Sequence, residues 1–156
     1  GRTTKKLPER GDIITFEAPS VTKVSKENID LKNPVAIYNN EPQTMLAKFS
    51  YYVLESGKRS YIKRVIGIEG DHILINDAGE VYVNDQKLDE PYLHEQFTSK
   101  SGQFTDLIVP KNCVFVMGDN RQESKDSRYF GCIPTEHIDG YVICRLWPLN
   151  RIGKLQ

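Results

Sequence analysis

Hydrophobic positions fall in short runs along the chain, and turn residues separate them. "GDIITF", "PVAIYN", "KFSYYVLE", "RSYIKRVIGI", "DHILIN", "EVYVNDQKL", "DLIVP", "NCVFVMGD" and "GYVICRLWP" are rich in β-branched and aromatic residues, the signature of strands. "ESGK" joins two runs and predicts a hairpin turn. "NDAGE" predicts another inside "HILINDAGEVYVN", whose residues alternate inward and outward. Helical signals are few. "TMLAKFSYY" carries a partial i, i+3, i+4 repeat that competes with a strand reading, and "PTEHID" predicts a single turn. The expected class is mostly β, as a barrel or a sandwich. Residues Glu17 to Lys48 are the least regular, mixing Pro19, Pro34 and Pro42 with Lys, Asn and Glu. A stretch of this length is functional, mobile or carries its own elements, or else is a surface excursion without a role.

Composition narrows the class without naming a function. The 156 residues bound one domain, spanning 1–156, with residues 17–48 as an insertion or extended loop. At 38% hydrophobic and 27% charged, the chain has material for a real core. Lys+Arg and Asp+Glu stand at 21 each, so nothing pulls the chain globally towards nucleic acid. No apolar run approaches the ~18 residues of a membrane span. The start at "GRTTKKLPERGD" is either natural or the cut edge of a longer protein. Cys113, Cys132 and Cys144 form no CxxC pair and sit among apolar residues, as buried small hydrophobes would. A Cys113–Cys132 disulfide stays open. His72, His94 and His137 have no ligand spacing, so neither a metal nor a cofactor is expected.

Two polar spots interrupt the apolar pattern. In "YIKRVIG", strand alternation puts Tyr61, Lys63 and Val65 on one face and Ile62, Arg64 and Ile66 on the other. A lysine held against apolar surface loses hydration, its ammonium is destabilised, and it can act as a general base towards a serine hydroxyl. Taken alone, the stretch fits a snorkelling edge-strand lysine better. The second spot is "VMGDNRQESKDSRYFGCIP", where a buried strand leaves the core at a glycine and "GDN" forms a tight turn. Two Asp-x-Arg arrangements follow, Asp119/Arg121 and Asp126/Arg128. Asp126 and Arg128 are near enough to pair, with Ser124 and Ser127 beside them.

"ERGDIITFEAP", "YIKRVIGIEGD" and "GDNRQESKDSRYFG" occur in that order. As a set they resemble the boxes of the type I signal peptidases, membrane-anchored serine proteases that cut signal peptides from exported proteins. "VYVNDQKLDEPYL" and "GYVICRLWPLNRIG" are similar to the Gram-positive members. The resemblance covers nearly the whole chain outside Glu17–Lys48. It implies a fold of coiled antiparallel sheets with an irregular insertion. It implies Lys63 as general base, Ser124 as the hydroxyl that orients it, Asp126–Arg128 as a supporting salt bridge, and Asp119, Asn120, Arg121 and Ser127 in the surrounding shell. The implied partners are signal-peptide-bearing preproteins, selected by small pockets for alanine-like residues, and the membrane surface. The implied place is the extracytoplasmic face of the cell membrane.

The chain departs from the family pattern at one central point. The family nucleophile lies in a Ser-Met-x-Pro box upstream of "RGD", whereas none of the nine residues before Arg10 is serine, and Ser20 lies downstream without the pattern. The expectation is that an N-terminal membrane helix and the nucleophile segment lie outside this sequence. Glu69 stands where the family usually has proline in "GLPGD". A second reading is a non-proteolytic relative that assists pilin assembly, as signal-peptidase-like proteins of some Gram-positive pilus clusters do. A β-domain with an incidental resemblance would require three ordered boxes to coincide.

Overall fold

A computed structural model describes residues 6–39 and 59–143. Its named strands are β1 (Ile13–Glu17), β2 (Ser60–Ile68), β3 (His72–Ile75), β4 (Val81–Val83), β5 (Gln86–Lys87), β6 (Asp106–Ile108), β7 (Cys113–Met117), β8 (Ile133–Pro134) and β9 (Ile138–Tyr141). One short helix, α1 (Ser127–Phe130), follows β7, and a 3-10 turn covers Thr135–His137. The strands form a five-stranded sheet in the order β8-β7-β2-β1-β9 and a four-stranded sheet in the order β5-β4-β3-β6. Every pairing between named strands is antiparallel. The mostly β expectation therefore holds, with two sheets among the described residues.

Alternation along β7 explains why both faces of the larger sheet are dry at this strand. Cys113, Phe115 and Met117 join Ile66 against Ile73, Ile75, Val81, Val83 and Leu107 of the smaller sheet. Val114 and Val116 point the other way, into a second core with Ile14, Phe16, Val65, Phe130 and Ile133. All five residues of β7 are consequently buried. The alternation foreseen for β2 is also present: Val65 and Tyr61 pack in the second core, and Ile66 in the first. A register shift between Val65 and Gly67 bends β2. A Cβ at Gly67 would lie 3.3 Å from Ile73 Cγ1 and 3.4 Å from Val109 Cγ2, so the missing side chain lets the two sheets approach.

Several local expectations need correction. "PVAIYN" makes no strand. It contributes one isolated parallel bridge, Val35↔Cys132, held by hydrogen bonds from Ala36 N to Cys132 O and from Cys132 N to Pro34 O. β8 already occupies the ladder beside β7, so this segment crosses the second core instead, burying Ala36. "EVYVNDQKL" is two strands rather than one. Asn84 and Asp85 take φ of 52° and 70°, which folds β5 back on β4. The "NDAGE" turn closes as read, with Gly79 at φ 77° and Gly79 N donating to Asn76 O. "PTEHID" forms its single turn. "KFSYYVLE", "TMLAKFSYY", "ESGK", Cys144 and the latter part of "GYVICRLWP" lie outside the described residues. Cys113 and Cys132 are buried free thiols. Burial pushes Cys113 up to about 11 and Cys132 well above the usual thiol range.

Candidate active site

β2 carries Lys63 into the rim of the second core. Its cross-strand neighbour on β1 is Ile14, which is fully buried. On the other side, β2 pairs with β7 as far as Arg64↔Met117, and the chain then leaves the sheet at Gly118. The loop from Gly118 to Asp126 returns over β2 and sets Ser124 beside the lysine. Lys63 Nζ donates to Ser124 Oγ at 2.9 Å and lies 5.5 Å from the Tyr61 ring centroid. Burial pushes the half-buried Lys63 ammonium below the usual lysine range, and Arg128 adds to the effect. Asp126 and Asp119 oppose it.

Asp126 and Arg128 hold this loop. Both side chains are 0% exposed. Asp126 Oδ1 accepts from Arg128 N and Nε at 3.1 and 2.9 Å, and Oδ2 accepts from Arg128 Nη2 and Gly118 N at 2.9 and 3.0 Å. The carboxylate thereby caps α1, fixes the guanidinium and ties the loop's two ends together. Arg128 also donates to Ser99 O at 2.9 Å and Ser124 O at 3.4 Å. Ser127 does not face Lys63; its Oγ accepts from Val116 N at 2.9 Å and anchors α1 to β7. Asn120 is exposed, and its carbonyl accepts from Glu123 N and Ser124 N.

Asp119 and Arg121 do not pair with each other, although their spacing matches Asp126/Arg128. Asp119 turns outward and receives Arg64 Nε and Nη2 at 3.0 and 2.9 Å. Arg121 turns inward to Glu90, a residue sequence reasoning did not single out. Arg64, Glu90 and Tyr92 were all missed as parts of the surroundings. The available signal was "DEPY", a glutamate next to proline and tyrosine. Among the described residues, no three His, Cys, Asp or Glu converge as metal ligands.

Gly118 makes the Lys63–Ser124 contact sterically possible. A Cβ there would overlap Ser124 Oγ and Cβ and stand 3.3 Å from Lys63 Nζ. Gly118→Ala is therefore expected to cost about 1–3 kcal/mol by overpacking, read as a lower urea midpoint at unchanged slope. A variant as stable as the parent would show that Ser124 moves aside freely.

Comparison with known proteins places this arrangement in a family. The family model described as "Signal peptidase, peptidase S26" matches residues 2–147. Signal peptidase I of Bacillus caldolyticus is 40% identical over 122 residues, 69% of this chain and 65% of that protein. Signal peptidase IB of Staphylococcus aureus (strain Mu50 / ATCC 700699) is 40% identical over 122 residues, 67% of this chain and 63% of the relative. Signal peptidase I of Leptolyngbya laminosa is 30% identical over 148 residues, 95% of this chain and 57% of the relative. The matched chain thus spans less than two thirds of these relatives' length. A crystal structure of a signal peptidase I from Enterococcus faecalis V583 superposes with a TM-score of 0.56 at 25% identity, covering 90% of this chain and all of the other. A family match over nearly the whole sequence, carried through the sheets that present Lys63, means that this chain belongs to the signal peptidases of the S26 family.

Proposed function

We propose that this domain serves a signal peptidase I that hydrolyses signal peptides with a Ser/Lys pair, Lys63 acting as general base. The observation that carries the reading is Lys63 Nζ, half buried on β2 and 2.9 Å from Ser124 Oγ. Desolvation favours the neutral amine that a base must be. In the reaction, neutral Lys63 takes the hydroxyl proton of the nucleophilic serine as its Oγ bonds to the scissile carbonyl carbon. The lysine ammonium then protonates the departing amine, leaving an ester to the serine. Lys63 next takes a proton from water, whose oxygen bonds to the ester carbon; the bond from that carbon to the serine Oγ breaks, Lys63 returns the proton to Oγ, and the signal peptide leaves with the new carboxyl group. Ser124 fixes the lysine rotamer by accepting one amine hydrogen bond. Asp126, Arg128, Ser127, Asp119, Asn120 and Arg121 hold the loop that carries Ser124.

The nucleophile is taken to be a serine of the family's Ser-Met-x-Pro box, which does not occur in this sequence, and the anchor an N-terminal helix outside it. Among the described residues no helix is long and apolar enough to cross a membrane. The reading places the domain on the extracytoplasmic face, with preproteins as substrates and the membrane surface alongside. Ile62, next to Lys63 in sequence and 62% exposed, is available to that surface.

The test uses the full-length protein in detergent or lipid with a preprotein. Cleavage that disappears in Lys63→Ala is the expected result. No cleavage by the parent, together with binding of a pilin, would replace the peptidase reading with the role in pilin assembly.

A further inference from the structure

Residues 90–104 form no strand or helix, yet they contact the 118–128 loop repeatedly. Phe97 O accepts from Gln122 Nε2, Thr98 Oγ1 from Arg121 Nη1, Ser99 O from Arg128 Nη1, and Phe104 N donates to Arg128 O. At the head of this segment stands a buried carboxylate, Glu90, 5% exposed. We propose that Glu90 is a positioning residue for the Lys63–Ser124 pair, acting through Arg121 on the loop and through Tyr92 on β2.

The first arm is a chain of hydrogen bonds. Glu90 Oε1 and Oε2 accept from Arg121 Nη1 and Nη2 at 3.0 and 2.5 Å, and both side chains are almost wholly buried. The third face of the same guanidinium, Nε, donates to Gly118 O at 2.7 Å. Gly118 is the residue at which any Cβ would overlap Ser124 Oγ. The second arm starts at Tyr92, whose hydroxyl donates to Glu90 Oε2 at 2.5 Å. The Tyr92 ring supports the Arg64 guanidinium, with Cζ 3.8 Å from the ring centroid. Arg64 follows Lys63 on β2 and pairs with Asp119, the residue after Gly118. One buried carboxylate therefore references both the strand that carries the base and the loop that carries its serine.

Removing that charge has a defined consequence. Arg121 would be left buried without its counter-charge, a costly state that it escapes by turning towards water. Gly118 O then has no donor, the loop loosens over β2, and water reaches Lys63. Glu90 touches neither Lys63 nor Ser124 in any described contact. The groups that face Lys63 are Ser124 from the loop, Tyr61 on its own strand, and the charges of Asp119, Asp126 and Arg128.

The inference takes its catalytic meaning from the general-base reading of Lys63, but its test does not depend on turnover. Lysine side chains labelled at Cε are titrated by NMR in this domain, with Lys63 assigned by its loss in Lys63→Arg. Glu90→Gln should move the Lys63 titration up by about one pH unit towards the ordinary lysine range and leave the other lysines in place. Glu90→Asp, which restores a carboxylate, should recover most of the parental value. A folded Glu90→Gln in which Lys63 titrates as in the parent overturns the proposal. If Glu90→Gln does not fold, Tyr92→Phe removes one donor to Glu90 while keeping the ring under Arg64. It should move Lys63 the same way by about half as much, and an unmoved Lys63 there overturns the proposal equally. A shifted Lys63 in a full-length protein that cleaves nothing would uphold the positioning role and defeat the peptidase reading. An unshifted Lys63 with cleavage that still requires it would do the reverse.

Discussion

Arg128→Met should destabilise the domain by about 3–5 kcal/mol, the typical cost of breaking a buried ion pair from one side. Arg128 and Asp126 are both 0% exposed, so the carboxylate left behind has no water to turn to. It keeps Arg128 N and Gly118 N as donors but loses Nε and Nη2. The carbonyls of Ser99 and Ser124 each lose a donor as well. Methionine fills much of the volume, so the loss reports the stranded charge more than a cavity. The double variant Asp126→Asn/Arg128→Met should recover part of the loss, because its buried site no longer holds a charge while Asn can still cap α1. Urea denaturation of the parent, the single variants and the double variant measures both quantities. An Arg128→Met variant within about 1 kcal/mol of the parent would mean that the pair behaves like an exposed surface bridge.

How much of this was legible in the sequence depends on whether a signal is local. β1, β2, β3, β4, β6 and β7 were readable because each buries one or both faces, and the period of two survives in residues such as Ile14/Phe16 and Ile73/Ile75, whereas β5 buries neither of its residues and β8 is only two residues long. The β3–β4 hairpin was readable because Gly79 needs its positive φ. The β4–β5 turn carries a comparable signal in Asn84-Asp85, which is easily passed over inside a run that otherwise alternates. "PVAIYN" is apolar enough for a strand, but whether a ladder position is free to receive it is a tertiary fact. The site divides in the same way. Asp126 and Arg128 are two residues apart and their pairing could be read from spacing. Lys63 and Ser124 are 61 residues apart, so their contact was expected only through the family resemblance. Arg121 and Glu90 are 31 apart, and no local rule pairs them. The same absence of a local rule made Asp119/Arg121 look like a second copy of Asp126/Arg128, when one side chain points to β2 and the other into the core.

Lys63→Met should affect activity and stability in different directions. In the full-length protein it should reduce preprotein cleavage by about 10²–10⁴-fold, the usual contribution of a general base. Lys63→Arg should not rescue it, because a guanidinium stays protonated throughout the working pH range. Stability follows from the direction of the lysine's shift. Burial holds Lys63 below its ordinary value of 10.5 in the folded state, so between the folded and unfolded values the unfolded chain binds more protons. Stability contributed at this position therefore rises with pH across that window, and the cost of the charged lysine is fully present below it. Lys63 is only partly buried, so solvent screening keeps that cost small, and in the variant water can serve Ser124 Oγ in place of the amine. Lys63→Met should match or exceed the parent at neutral pH, with its advantage shrinking as pH approaches 10.5. Denaturation curves at a series of pH values test the sign. An advantage that grows with pH would mean that Lys63 is stabilised as the ammonium by Asp126 and Asp119 rather than destabilised by burial. Such a lysine would be a poor base, and retention of more than about a tenth of the parental cleavage rate, far above the loss expected for a missing base, would remove Lys63 from the mechanism.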